Sequence, residues 1–198
     1  MIESGKRAPE FIVWTGPMFS GKSSSLLAAI DRYRHQGRVV DVFKPCIDDR
    51  YSAVEIVTHG GWRIKADPVS TGLELMSDLL AAPGSPDVVA VDELFMIPGS
   101  AAALIELFHA GVTVLVSSLD LSATGSVFSE VRDVLPWATR IEKLTAVCAV
   151  CKSDARYTWR KGTMLGSKEI EVGGAESYEP RCHGCHQLIC TSTEESES

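Results

Sequence analysis

The chain has 198 residues and a formal net charge of -7, with 45% hydrophobic and 23% charged residues. That length can bury a core of its own, and the composition is that of an ordinary globular protein. The acidic balance argues against wrapping DNA or coating a membrane surface, both of which need basic patches. No run of about 18 apolar residues is present to span a bilayer.

The first segment, MIESGKRAPE, lacks the apolar stretch of a secretory signal, so a cytoplasmic address is expected. In that reducing compartment the six cysteines read as ligands or free thiols rather than disulfides. FIVW, Phe11 to Trp14, predicts a strand. A Gly-rich loop follows, then a helix with Leu26, Leu27, Ile30 and Tyr33 on one face and Gly37 at its end. RVVDVFK (38–44) is a second strand and TGLELMSDLLAA a helix. DVVAVDE (87–93) is a third strand, apolar on both faces as a central parallel strand should be. AAALIELFHAG is a helix ending at Gly111, and VTVLVSSLD a fourth strand. Strand–helix–strand repetition predicts an α/β fold, a parallel sheet flanked by helices.

After about Ile141 the pattern changes. Two Cys pairs bracket ARYTWRKG and KEIEVGG, which alternate like short antiparallel strands. The expected organisation is an α/β domain over 1–145, a small C-terminal lobe over 146–190, and a polar acidic tail over 191–198 without fixed structure.

Gly16-Pro17-Met18-Phe19-Ser20-Gly21-Lys22-Ser23 satisfies G-x-x-x-x-G-K-[ST] between a predicted strand and a predicted helix. Its glycines let backbone N–H groups converge on one anion, and the helix start adds positive charge. Lys22 would neutralise β- and γ-phosphates, and the Ser23 hydroxyl would ligate Mg²⁺. The pattern predicts a P-loop that binds a nucleoside triphosphate such as ATP. Asp92 and Glu93 stand at the C-terminal end of the third strand, where open α/β sheets bind ligands. Asp92 would hold the Mg²⁺, and Glu93 would take a proton from an attacking hydroxyl or water.

Cys148-x-x-Cys151 and Cys182-x-x-Cys185 predict a closed, tetrahedral, structural Zn²⁺ site. His183 and His186 stand among these ligands and read as bystanders, since four thiolates suffice, although His186 could replace a cysteine. Cys46 and Cys190 have no partner at metal spacing. A nucleic-acid finger is the rival reading of the lobe. Its basic residues are mixed with acids, so nucleic acid is not expected as a partner.

The P-loop, the Asp-Glu pair and the Cys₄ lobe together resemble the cytosolic, zinc-containing thymidine kinase family. GPMFSGKSS is similar to that family's P-loop, and FKPCIDDRYS (43–52) to its K-P-x-x-D-x-R-Y-S segment. THG (58–60), KLTAVCAVC, YTWR and EIEVGGAESYEPRCHGC follow in the family's order. The resemblance implies transfer of the ATP γ-phosphoryl group to the 5′-hydroxyl of thymidine, with Mg²⁺. It assigns Glu93 as base toward that hydroxyl and Arg50 to the transferring phosphoryl. Asp48 would orient that arginine or the metal's water. A loop from the zinc lobe would cover the nucleoside, with Tyr178 as lid and Val172 and Gly173 as backbone contacts. Met18 and Phe128 would form apolar walls, with Thr158 a further contact. A homotetramer is implied as well.

Two segments depart from the family. Leu94-Phe95-Met96-Ile97 stands where G-Q-F-F is usual, and Asp120 is followed by LSATGSVF, with Ala123 in place of an aromatic. Both fall beside the acceptor pocket. Another pyrimidine deoxynucleoside therefore stays open as substrate, as do a water-using P-loop hydrolase and a nucleotide-sensing zinc protein without turnover.

Overall fold

In chain order, β1 (Phe11–Thr15) feeds α1 (Lys22–His35), then come β2 (Val40–Pro45), β3 (Glu55–Val57), β4 (Arg63–Lys65) and β5 (Asp67–Val69). They are followed by α2 (Gly72–Ala81), β6 (Val88–Val91), α3 (Ser100–His109), β7 (Thr113–Ser118), α4 (Ser129–Val134) and β8 (Arg140–Lys143). The computed structural model describes residues 8–49, 51–162 and 173–186. Six strands form one parallel sheet in the order β5-β2-β6-β7-β1-β8.

Strand periodicity of two explains why helices cover both faces. Phe11, Val13, Val89, Val91, Val114 and Val116 face one side, under Leu75 of α2, Leu104 of α3 and Val134 of α4. Ile12, Trp14, Val88, Ala90 and Leu115 face the other, under Leu26, Leu27, Ile30 and Tyr33 of α1 and Ile56 of β3. Each such side chain, fully buried, contributes about 1.5–3 kcal/mol. The helical stripe read from the sequence at α1 is the face that is buried. No helix among the described residues is long and apolar enough to cross a membrane.

Several elements escaped the pattern reading. The β3–β4 hairpin and β5 are three residues each, too short for a periodicity to register. The edge strand β8 extends the sheet to Lys143 and pairs with β1. Its largely exposed Arg-Ile-Glu-Lys carries none of the continuous apolar signal of a central strand.

Beyond the sheet, β9 (Ala146–Val147) pairs antiparallel with β10 (Asp154–Ala155), and β11 (Tyr157–Arg160) with β12 (Tyr178–Arg181). The first strand expected from ARYTWRKG is present, but its described partner is Tyr178–Arg181. Most of KEIEVGG, at 168–172, lies outside the described residues, as does the expected tail at 191–198. Among the described residues, the apolar centre of this lobe is Ala146, Cys148 and Ala155, flanked by Cys182 and Cys185.

Candidate active site

Because the sheet is parallel, the loops after β1, β2, β6 and β7 all emerge at one edge. The loop after β1 begins at Gly16, with φ 141°. A Cβ there would lie 2.4 Å from the Leu144 carbonyl oxygen, so only glycine fits. Phe19 at φ 65° and Gly21 at φ 85° turn the chain through the left-handed region into α1. The Pro17 carbonyl accepts from Lys22 Nζ and from Ser20 Oγ, each at 2.8 Å. The Met18 amide donates to Thr158 Oγ1 of β11 at 3.0 Å.

Asp92 and Glu93 leave the end of β6. Asp92 is buried, and its Oδ1 accepts from Ser23 Oγ at 3.1 Å and from Ser117 Oγ. Burial pushes its carboxyl above the usual carboxylate range; hydrogen bonds from Ser117 and Ser23 and the Lys22 charge oppose this, while nearby Asp48 adds to it. Glu93 has φ 49° and ψ 48°, a left-handed conformation that aims the chain sharply away from the strand.

A cavity of about 500 Å³ lies between this sheet edge, the β3–β4 hairpin and the C-terminal lobe. That volume suits a small ligand. Of the residues singled out by sequence, Met18, Phe19, Gly21, Lys22, Ser23, Asp48, Asp92, Glu93 and Tyr178 line it. Gly16, Pro17 and Ser20 shape the loop. Thr158 sits behind Met18 and is 3% exposed. Gly173 is buried where a Cβ would come within 2.9 Å of Ser177 Cβ. Phe128 belongs to an adjoining apolar cluster with Phe95, Met96, Leu119 and Val131, against which Met18 packs. Its ring centroid is 4.5 Å from that of Phe95. Arg50 and Val172 lie outside the described residues.

Sequence reasoning assigned no role to three contributors. Ser117 completes the hold on Asp92, and its signal was the polar pair ending an otherwise apolar strand. Lys44 is buried at the end of β2 and donates to the Ser52 and Glu55 carbonyls, fastening the segment that carries Asp48. His59 lines the cavity and meets the Phe19 ring edge-on.

Among the described residues, two places can hold a cation. Two adjacent oxygen ligands of an octahedral ion at about 2.1 Å lie about 3 Å apart, and the 3.1 Å between Ser23 Oγ and Asp92 Oδ1 fits that edge. In the lobe, the sulfurs of Cys148, Cys151, Cys182 and Cys185 all lie within 4.8 Å of one another. Tetrahedral zinc at about 2.3 Å requires about 3.8 Å between sulfurs, so the set fits. The thiols also influence one another's charge. The Cys151 backbone amide, foremost among its hydrogen bonds, brings Cys148 down to about 6. Hydrogen bonds to the Cys182 and Cys151 thiols, foremost, push Cys185 up to about 12. The His186 ring instead turns Nε2 toward the Thr158 carbonyl, at 3.3 Å.

A family sequence model described as thymidine kinase matches residues 10–186, which includes the loop, the Asp92–Glu93 pair and all four clustered cysteines.

Proposed function

The chain belongs to the thymidine kinase family, and on that premise we propose that it transfers the γ-phosphoryl group of ATP to the 5′-hydroxyl of thymidine, giving dTMP and ADP. The observation that carries the reading is the shared cavity: Lys22, Ser23, Asp92 and Glu93 from the sheet edge and Tyr178 from the lobe all line it.

In this reading the loop amides and Lys22 bind the triphosphate. Ser23 and Asp92 would hold Mg²⁺, which would supply neutralising positive charge to the phosphates. Glu93 accepts the 5′-hydroxyl proton as the oxygen attacks the γ-phosphorus and the bond to the β-phosphate oxygen breaks. Asp48 and Arg50 support the phosphoryl group. Tyr178 and Gly173, with Val172, cover the base, and Met18, Phe128 and Thr158 stand behind the acceptor side. Zn²⁺ on the four cysteines holds the lobe in place. Cytoplasmic location and a homotetramer belong to the same reading.

Met18, which lines the cavity, and the apolar cluster behind it suit the methyl group of thymine. Glycine and glutamine do not follow Glu93, yet Phe95 still packs on Phe128 beside Met18. The test is ATP-Mg²⁺ with a panel of deoxynucleosides, read as monophosphate formed. Thymidine-dependent ADP and dTMP are expected. Monophosphate only from another pyrimidine deoxynucleoside would move the substrate, and ADP formed without any nucleoside would make water the acceptor. Glu93→Gln should lower kcat by about 10²–10⁴-fold while ATP affinity holds. Unchanged turnover would remove Glu93 from the role of base.

A further inference from the structure

The Pro17–Met18 peptide is gripped at both of its polar ends. Its carbonyl oxygen accepts from Lys22 Nζ and Ser20 Oγ, each at 2.8 Å. Its N–H, on Met18, donates to Thr158 Oγ1 at 3.0 Å across a separation of 140 residues. Thr158 is 3% exposed and does not line the cavity. Its own carbonyl lies 3.3 Å from Nε2 of His186, the residue after Cys185. A carbonyl can only accept, so that nitrogen carries the proton. At Gly16 the loop also closes against the Leu144 backbone, in the short link between β8 and the lobe. The loop is therefore seated at its first residue on that link and at its third on the lobe.

We infer that Thr158 is a positioning residue for ATP: its hydroxyl fixes the Pro17–Met18 peptide and, through the Pro17 carbonyl, the resting place of the Lys22 ammonium. The inference rests on the reading of Gly16–Ser23 as the triphosphate site. It gives Thr158 a task in addition to its place on the acceptor side, because its hydroxyl is turned to a loop amide. A peptide held at carbonyl and amide cannot rotate. Without the hydroxyl, the Met18 N–H loses its acceptor in a partly buried place, and the peptide is free to turn. The Pro17 oxygen then no longer waits where Lys22 meets it, and the loop must reorder before it can bind an anion.

Calorimetric titration of the zinc-loaded protein with ATP-Mg²⁺ tests this without requiring turnover. Thr158→Val is expected to bind ATP about tenfold more weakly than the parent, and Thr158→Ser, which keeps the hydroxyl, to return it to within about twofold. Zinc content equal to the parent's establishes that the valine variant keeps its lobe. An ATP affinity for that variant within about twofold of the parent's overturns the inference. A second readout needs no variant: the Met18 amide of the nucleotide-free parent should be protected from hydrogen exchange, and exchange at the rate of exposed chain overturns the assignment. Failure of the functional reading shows separately, as no monophosphate from any deoxynucleoside with the parent protein.

Discussion

Among the described residues, three that are not glycine hold φ in the left-handed region: Phe19, Glu93 and Lys152. Such a conformation costs on the order of 1–3 kcal/mol and persists only where surrounding structure enforces it. Each of the three stands at a chemical feature: the loop after β1, the acid pair after β6, and the turn after Cys151. The motif spelling announced these places, whereas the backbone strain within them was invisible to it, because Phe, Glu and Lys carry no signal for positive φ. Gly16 is the residue where this can be tested most sharply. Gly16→Ala must both adopt φ 141° and push aside the Leu144 carbonyl, 2.4 Å from the new methyl. The variant is expected to lose about 2 kcal/mol, which for a chain of this size lowers Tm by roughly 4–8 °C. ATP affinity should fall with it, since the displaced atoms belong to the loop. A calorimetric scan and an ATP titration read the two effects, and an alanine variant matching the parent in both would show that the loop is not seated as described.

At the scale of elements, legibility followed how a residue pattern is buried. β6 and β7 are buried throughout; the uninterrupted apolar run of β6 was readable as a central strand, and the apolar stretch of β7 as a strand. α1 was readable from one stripe, because the remaining face is solvated. The β3–β4 hairpin was not, although Ile56 closes one face of the sheet and residues 55–59 line the cavity. Three-residue strands hold too few positions for alternation to mean anything. The strand β12 went unread for a related reason, since Tyr-Glu-Pro-Arg is half-buried on every residue and shows no alternation. Packing between helices is also silent in sequence. A Cβ on Gly72, at the start of α2, would lie 2.2 Å from the Gly99 carbonyl oxygen just before α3. Gly72→Ala should force these helix starts apart at a cost of about 1–3 kcal/mol, seen as a lower Tm. ATP affinity is expected to stay at the parent's value, because α2 and α3 cover the sheet away from the loop. A variant with weakened ATP binding and an unchanged Tm would contradict that separation.

At the scale of the whole molecule, the central sheet and the small lobe obtain their stability from different sources. The sheet has two apolar faces, each filled by side chains at 0% exposure such as Val13 and Leu104 on one and Leu26 and Ile30 on the other. Among its described residues the lobe's apolar cluster is two alanines, Ala146 and Ala155, with the clustered cysteines around them. A bound zinc can contribute on the order of 10–16 kcal/mol in modules of this kind, far more than so few apolar contacts supply. Removing the metal should therefore unfold the lobe and leave the sheet. The cavity would still suffer, because the lobe contributes Lys161, Tyr178 and Glu179 to its lining and Thr158 to the hold on Met18. With a chelator, the expected result is release of one zinc per chain and retention of most of the far-ultraviolet circular dichroism. Proteolysis should then reach residues 146–186 while a fragment extending to about Lys143 resists. ATP affinity should weaken in step with zinc release, since the loop loses its seat, and restored zinc should restore it. If circular dichroism collapses together with zinc release, the sheet depends on the lobe after all. If ATP binds equally well to the metal-free chain, the loop does not lean on the lobe.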